Sequence, residues 1–217
     1  TVKGGSIGLT GETKVTRMRE LALRCRMPMV WFIDSAGARI DPKQNGDMVS
    51  LFAGSGHLFR EEVLMSGVVP LVAAMVGPGA AGTAYIPGLA DFVPMIKGIG
   101  SMALGGPPLV KAVTGQDIDE AELGGSKVHC EKSGVGDVEV ADEDACIATI
   151  KDYLSYFPQH CEERPPILAS TDPIDRREDS LLDLLPENPR QHYDMYDLVK
   201  APVDNGTFLD LKPKWAR

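Results

Sequence analysis

Two runs of very small residues follow apolar stretches, and the longer one has the composition of a backbone oxyanion hole. The longer run, 77–85, reads Gly-Pro-Gly-Ala-Ala-Gly-Thr-Ala-Tyr and follows the apolar stretch 68–76. The shorter run, 34–40, reads Asp-Ser-Ala-Gly-Ala-Arg-Ile and follows the apolar stretch 29–33, at a strand end where α/β proteins place their sites. Small residues let backbone N–H groups approach a ligand, and two N–H groups at the start of a helix can stabilise an oxyanion. We therefore predict that the longer run stabilises an enolate or a thioester oxyanion.

A serine nucleophile is a weaker alternative. Residues 4–8, Gly-Gly-Ser-Ile-Gly, match the G-x-S-x-G pattern around Ser6. A nucleophile elbow requires a strand before the serine and a helix directly after it. Only a stub of chain precedes this pattern, and Leu9, Thr10 and Gly11 are expected to postpone the helix, so a Gly-rich turn is favoured.

A dinucleotide fold must also be weighed. Gly77, Gly79 and Gly82 form a G-x-G-x-x-G pattern after an expected strand. Pro87 and Gly88 interrupt the helix that should follow, and the pattern belongs at the first strand of its unit, whereas other strands precede it here. NAD binding is therefore disfavoured, and the sequence contains no Walker A pattern.

Isolated polar residues leave several interpretations open. Arg39 can anchor a phosphate or pair with Asp34, and we hold these equal. His57 is a lone histidine and fits a core or surface position better than a ligand contact. His129 and Cys130 are expected on a strand, where neighbours point to opposite faces, so no metal site is predicted there.

Composition excludes several classes of function. A chain of 217 residues with 43% apolar residues fits a well-buried globular domain, and a formal net charge of −9 argues against binding nucleic acid or an anionic membrane. No apolar run has membrane-spanning length, and no signal peptide is evident. None of the cysteines form a C-x-x-C pair, which favours a reducing intracellular setting; they are Cys25, Cys130, Cys146 and Cys161.

Hydrophobic periodicity predicts alternating helices and short strands, an α/β fold. Helices are expected at 12–26, 48–65, 107–113, from the Asp142 cap to 157, and at 181–185; strands at 29–33, 68–76 and 137–140, with a strand and turn at 124–135. In the first helix the apolar face is predicted to carry Val15, Met18, Leu21, Ala22 and Cys25. The opposite face is predicted to be a solvated or phosphate-binding basic face with Lys14, Arg17, Arg19, Arg24 and Arg26.

Five ordered motifs resemble the carboxyltransferase (beta) subunit of biotin-dependent acyl-CoA carboxylases of the propionyl-CoA or methylcrotonyl-CoA type. The resemblance extends along essentially the whole chain. The motifs lie at 34–40, 77–82, 106–115, 123–125 and 132–135, with further matches at 193–195 and 203–206.

The resemblance implies a crotonase-like fold, a spiral of ββα units, and transfer of CO2 from carboxybiotin to the α-carbon of an acyl-CoA through an enolate. It divides the chain into a carboxyltransferase N-domain at 1–162, lacking its first strands, and a Pro-rich linker with the start of a second domain at 163–217. It implies as partners a biotin carboxylase and biotin carrier subunit, and a homo-oligomeric ring built on dimers, a hexamer. The expected compartment is the cytoplasm, or the mitochondrial matrix in a eukaryote.

By the same resemblance, the backbone N–H groups that hold the thioester oxygen are those of Ala36, Gly37, Ala81 and Gly82. The residues expected to contact the substrate are Arg39, Thr83, Tyr85, Gly105 and Gly106, and no metal is expected. The family usually has two glycines where this chain has Ala36-Gly37 and Ala81-Gly82. A backbone donor survives a change to alanine if φ stays negative, and the extra methyl groups narrow the acyl pocket.

Other functions remain open from the sequence. A crotonase-type hydratase, isomerase or hydrolase would need catalytic carboxylates, for which Glu61, Glu62 and Asp91 are the candidates. The alpha subunit of a biotin-dependent decarboxylase shares the architecture, and a non-catalytic paralogue is a further alternative. The acyl group is not fixed, because 106–108 and 129–130 favour branched or unsaturated acyl groups whereas 34–40 favours propionyl.

Overall fold

The computed structural model describes residues 3–39, 59–188 and 190–216, and these fall into two compact units. One unit comprises the described residues of Thr1–Pro165 and Leu211–Arg217, and the other is Pro166–Asp210. The predicted helix at 48–65 and the histidine at 57 lie largely outside the described residues. The assignment of 163–217 to a linker and the start of a second domain stays a prediction.

A parallel sheet forms the centre of the first unit. Its strands are β1 (Met29–Ser35), β2 (Leu71–Ala80), β3 (Pro94–Ile96), β4 (Ser101–Ala103) and β5 (Val138–Val140). The hydrogen-bonded order is β1-β2-β3-β5, β4 also pairs with β2, and every pairing is parallel. Residues 71–75 of β2 are all buried, as expected for a strand covered on both faces. The predicted α/β class is confirmed.

Helices connect these strands, several with the caps that the sequence indicates. In the first unit they are α1 (Leu9–Cys25), α2 (helical at 59–65), α3 (Gly82–Leu89), α4 (Pro107–Thr114), α5 (Glu120–Gly124) and α6 (Glu143–Leu154); in the second, α7 (Ser180–Leu184) and α8 (Met195–Lys200). Pro107 starts α4, where its missing N–H is tolerated. Asp142 caps α6, accepting a hydrogen bond from Ala145 N at 2.8 Å.

Three predicted boundaries were wrong, and so was the predicted interruption at Pro87 and Gly88, because α3 runs through both residues. The strand β2 continues through 77–80, predicted as loop, because Pro78, Gly79 and Ala80 pair with β4. Helix α1 begins directly at Leu9 instead of after Gly11. Residues 128–133, predicted as strand and turn, form a helical turn in which His129 N and Val128 N both donate to Gly125 O.

The predicted burial of α1 was also wrong. Arg19, placed on the solvated basic face, is completely buried, whereas Met18 on the predicted apolar face is 52% exposed. The Arg19 guanidinium lies over the Trp31 ring of β1, 5.0 Å from its centroid, and interacts electrostatically with Glu62 of α2. The aromatic face and the carboxylate compensate the buried cation, so the helix turns this arginine towards the sheet.

Candidate functional site

The two small-residue runs lie side by side at the carboxyl ends of β1 and β2. Ser35 of β1 is in register with Gly79 of β2. A Cβ placed on Gly37 would lie 3.4 Å from the Ala81 methyl carbon. The Thr83 hydroxyl, buried in the first turn of α3, donates to Ala80 O at 2.8 Å and lies 3.5 Å from Ser35 O. Thr83, predicted to contact substrate, therefore links the two runs in this structure.

The four predicted oxyanion donors differ in what their N–H groups already bind. Ala36 N donates to Gly4 O at 2.9 Å, and Ala81 N donates to Ala103 O at 3.1 Å. Gly37 N donates to the Ser35 hydroxyl at 3.2 Å, and that hydroxyl itself donates to Gly5 O. Gly82 N, at the first position of α3, has no acceptor in the part of the chain that the structure describes. Gly82 is thus the donor most open to a ligand, since the first N–H groups of a helix have no intrahelical partner.

Ala81 has a backbone conformation that non-glycine residues rarely adopt. Its φ is 51° and its ψ is −120°. We expected an alanine at this position to keep its backbone donor if φ stayed negative, and φ is positive here. The chain passes at this single residue from β2 directly into α3. Such a left-handed conformation costs of order 1–3 kcal/mol for a residue with a Cβ and persists only where its surroundings enforce it.

Aromatic rings lie beside this junction. The Phe59 ring packs edge-on against Tyr85, with centroids 4.9 Å apart, and a Cβ on Gly82 would lie 3.9 Å from Phe59 Cζ. Tyr85 is about half exposed, as a substrate-contacting residue can be. Sequence reasoning did not single out Phe59. Its only signal was the apolar spacing of a helix next to a Gly-rich loop.

Arg39 is held in place within the shorter run. Its Nη2 donates to Ser6 O at 2.8 Å and its Nε to the Ser6 hydroxyl at 3.2 Å. Among the described residues, Arg39 forms no ion pair with Asp34, and its guanidinium is engaged by Ser6. Ser6, the elbow candidate, is engaged by these contacts, and its hydroxyl also donates to Lys3 O. A 3₁₀ turn at Lys3–Gly5 precedes Ser6, where an elbow would need a strand. This arrangement agrees with a Gly-rich turn at 4–8.

A cavity of about 570 Å³ opens next to the junction. Its wall is mostly apolar and is formed by Ala84, 102–105, 109–110, 113–114, Leu123, His129 and Val135. Gly105 lines it, and Gly106 follows as the N-cap of α4. The His129 Nε2–H donates to Met102 O at 2.9 Å, and Nδ1 lies 2.9 Å from the Ser133 hydroxyl. This volume falls in the range of small-molecule sites.

Two of the candidate carboxylates, Asp91 and Glu62, have partners outside the two small-residue runs. Asp91 Oδ2 accepts from Leu71 N at 2.9 Å, at the start of β2, whereas Gly82 follows its end. Ten strand residues separate these points, roughly 30 Å at the usual rise. Glu62 faces Arg19, and burial raises its pKa to about 7, partly offset by the arginine charge. No cluster of metal-ligating side chains occurs among residues 3–39, 59–188 and 190–216.

The fold and the site define a class: parallel α/β domains with a candidate oxyanion-binding junction where a central strand enters a helix. The chain belongs to the carboxyl transferase domain family, which it matches over residues 1–217. This finding confirms the family that the sequence motifs resemble.

Curated relatives are similar over the whole chain. It is 38% identical over 216 residues to the methylmalonyl-CoA decarboxylase subunit alpha of Veillonella parvula, and 35% identical over 217 residues to the propionyl-CoA carboxylase beta chain of Roseobacter denitrificans. Each match covers 100% of this chain and 42% of the relative. The chain therefore spans less than half the length of the curated relatives it matches.

A solved structure supports the fold. The transcarboxylase 12S structure with hydrolysed methylmalonyl-coenzyme A bound aligns with a TM-score of 0.88 at 36% identity, covering 98% of this chain and 41% of that one. The predicted crotonase-like α/β fold is confirmed at this level. No helix of the described residues is both long and apolar enough to cross a membrane.

Proposed function

We propose that the protein containing this chain transfers CO2 between carboxybiotin and the α-carbon of an acyl-CoA, and that this chain binds the acyl thioester. The observation that carries the proposal is the N–H of Gly82. It opens helix α3 and has no acceptor among the described residues, in a chain of the carboxyl transferase domain family.

The proposed chemistry places the thioester oxygen on that donor. Loss of the α-proton puts negative charge on this oxygen, where the Gly82 N–H and the positive end of the α3 dipole stabilise the enolate. Gly37 is the second donor, because its present acceptor is the Ser35 hydroxyl, a side chain that can rotate away. Ala36 and Ala81 hold the two runs through their N–H groups. Each donor to the oxyanion contributes roughly 3 kcal/mol to transition-state stabilisation.

We assign the acyl and pantetheine portion of the substrate to the 570 Å³ cavity beside Ala84. Its apolar wall suits an acyl chain, and Gly105 and Gly106 leave backbone exposed at one side of it. Tyr85 is proposed to contact substrate from α3. Arg39 and Thr83 are proposed to support the two small-residue runs without touching the substrate, because their polar groups bind Ser6 and Ala80.

Biotin fits this proposal as a group delivered by a partner carrier. When bound, carboxybiotin supplies CO2 in activated form. Leu104 and Gly106, at and next to the cavity wall, are exposed, and we propose that the carrier approaches the thioester from their side. We propose as partners a biotin carboxylase and carrier subunit and, by analogy with the hexamer named for transcarboxylase 12S, a ring of identical subunits.

The relatives leave the direction of transfer open. One methylmalonyl-CoA decarboxylase subunit alpha is 38% identical to this chain, and one propionyl-CoA carboxylase beta chain is 35% identical. Both reactions share the enolate half-reaction, so the same Gly82 donor serves either direction.

The test uses the full-length protein that contains this chain. Acyl-CoA thioesters of increasing chain length are mixed with a carboxylated biotin donor, and labelled CO2 is followed into the acyl-CoA; carboxylated acyl-CoA with free biotin tests the reverse. Biotin-dependent transfer in either direction supports the proposal. It should be lost in Gly82→Leu, whose side chain blocks the donor, and kept in Gly88→Leu on the same helix, where a Cβ meets nothing within 4 Å.

CoA-thioester binding without transfer in either direction would replace the proposal by a crotonase-type hydratase or isomerase. No binding of any CoA thioester would indicate a non-catalytic paralogue.

A further inference from the structure

A second cavity, of about 430 Å³, lies at the start of β2, whereas Gly82 follows the end of that strand. Its wall combines apolar side chains with a guanidinium, a carboxylate, a phenol, an imidazole and a thiol. The residues that form it are Arg26, Pro28, 67–70, Asp91, Tyr153, 157–158 and 160–161. A cleft of this size with a few polar groups is the usual form of a small-molecule site, and no step of the proposed carboxyl transfer uses it.

The Tyr153 hydroxyl gives this cavity a buried donor without an acceptor. Tyr153 is only 6% exposed, and its ring stacks on Phe92 with centroids 4.3 Å apart. No hydrogen bond of its hydroxyl is found among residues 3–39, 59–188 and 190–216. Burial, and then the carboxylates of Asp91 and Asp137, raise the pKa of Tyr153 to about 12, so the hydroxyl stays a donor at neutral pH. Because buried polar groups are almost always hydrogen-bonded, this donor favours an occupant of the cavity that brings an acceptor.

Cys161 lies in the wall of the same cavity, exposed and in contact with a cation. Arg26 Nη1 donates to Cys161 Sγ at 3.3 Å and to Glu162 Oε1 at 3.0 Å. A hydrogen bond from a guanidinium stabilises negative charge on the sulfur, and the thiolate is the nucleophilic form of cysteine. The cavity therefore combines an accessible nucleophile with a buried donor that has no acceptor among the described residues.

We propose that Cys161 is a thiol-exchange site, at which a small aliphatic disulfide leaves one of its halves in this cavity as a mixed disulfide. The Cys161 thiolate attacks one sulfur of the disulfide, a new S–S bond forms and the old S–S bond breaks. The other half leaves as a thiolate and takes up the proton lost by Cys161. The disulfide is itself the oxidant, so the step needs no other reagent. The retained half carries an amide or carboxylate oxygen as the acceptor for the Tyr153 hydroxyl.

The test incubates the full-length protein with glutathione disulfide, whose halves carry amide and carboxylate oxygens. Intact mass and peptide mapping follow the formation of the mixed disulfide at each cysteine. We expect the adduct at Cys161 to form about tenfold faster than at Cys25. Cys25 is the matched control within the chain, because it is also exposed and does not line the cavity.

Two comparisons separate the thiol from the cavity. Arg26→Met should slow the reaction of Cys161 about threefold, because less of the sulfur is present as thiolate. Arg24→Met should not slow it, since Arg24 is exposed and does not line the cavity. Tyr153→Phe should lower the equilibrium constant of the glutathione adduct about fivefold, because one hydrogen bond is lost. The same variant should leave alkylation of Cys161 by iodoacetamide unchanged.

Equal rates at Cys161 and Cys25, or an unchanged rate in Arg26→Met, would overturn the proposal. An adduct that is equally stable in Tyr153→Phe would also overturn it, because the cavity would then not hold the retained half. If Tyr153→Phe does not fold, Val68→Trp tests the same point, since Val68 lines the cavity and is 38% exposed. The larger side chain should fill the cavity and destabilise the adduct, and an unchanged equilibrium constant would count against the proposal.

Discussion

At the scale of single residues, a buried pair of charges should make the stability of the chain depend on pH. Arg19 and Glu62 are both almost completely buried, behind the Trp31 ring of β1. Burial lowers the pKa of Arg19 and raises the pKa of Glu62 to about 7, and each charge partly offsets the other shift. Glu62 Oε2 has no hydrogen-bond partner among the described residues, which leaves the ionised form poorly compensated.

The stability of the chain should therefore fall as Glu62 ionises in the folded state. Its unfolded value is near 4.5 and its folded pKa near 7. A carboxyl group with a raised pKa contributes its stability fully below the unfolded value, and this contribution is lost as pH rises through the folded value. In Glu62→Gln, this loss between about pH 5 and pH 8, on the order of 1–3 kcal/mol, should be absent.

The measurement is the free energy of unfolding by urea at pH 5.5 and pH 8, compared between parent and variant. Glu61→Gln is the control, because Glu61 is the neighbouring carboxylate and pairs with Arg60 at 2.8 Å. An identical pH slope in parent and Glu62→Gln would show that Glu62 does not carry the effect.

At the scale of elements, periodicity and caps predicted what depends on local sequence. The helix after Asp142 and the strand at 137–140 occur as expected, because both have a regular apolar pattern with turn residues at their ends. The end of β2 was not predictable, since Gly77, Pro78 and Gly79 disfavour strands. Pairing with β4, a contact distant in sequence, makes them strand residues.

The role of the candidate site stays a prediction, but the sequence indicated which two runs of residues meet, and not which of their N–H groups stay open. The small residues at 34–40 and 77–85 identified the two loops that meet, because backbone approach requires small side chains. Which N–H groups remain open depends on acceptors such as Ala103 O and Gly4 O, which no local pattern reveals. The same holds for Arg19: its burial depends on Trp31 and Glu62, which only the fold brings together.

The cap of α6 gives a prediction at this scale. The Asp142 carboxylate accepts from Ala145 N at 2.8 Å, satisfying one of the free donors of the first turn. Asp142→Ala should lower the free energy of unfolding by about 1 kcal/mol. Asp144→Ala removes the same charge from the same turn without removing the cap and should cost less than half as much, about 0.3–0.5 kcal/mol. Equal losses in thermal or urea unfolding would mean that charge, and not the capping hydrogen bond, stabilises this helix.

At the scale of the whole molecule, the last described segment returns to the first compact unit. Residues 211–216 belong to this unit although 166–210 form the other. Lys212 Nζ lies 2.6 Å from Asp137 Oδ1 and donates to Gly134 O at 2.6 Å. Trp215 covers Gly134, where φ is +70° and a Cβ would lie 2.7 Å from the indole. Residues 211–216 thus contact and stabilise the loop between the helical turn at 128–133 and β5.

The ion pair between Lys212 and Asp137 should contribute most to this attachment. Asp137 is 5% exposed and also accepts from Val93 N at 2.7 Å; burial raises its pKa, and the hydrogen bond from Lys212 opposes that rise. Lys212→Met leaves a buried carboxylate without its cation and should cost roughly 2–4 kcal/mol of unfolding free energy. Asp137→Asn with Lys212→Met removes both charges, so the double variant should lose less than the sum of the single losses, by roughly 1–3 kcal/mol. Urea unfolding of the four proteins measures this coupling, and strictly additive losses would show that the lysine does not stabilise the segment through Asp137.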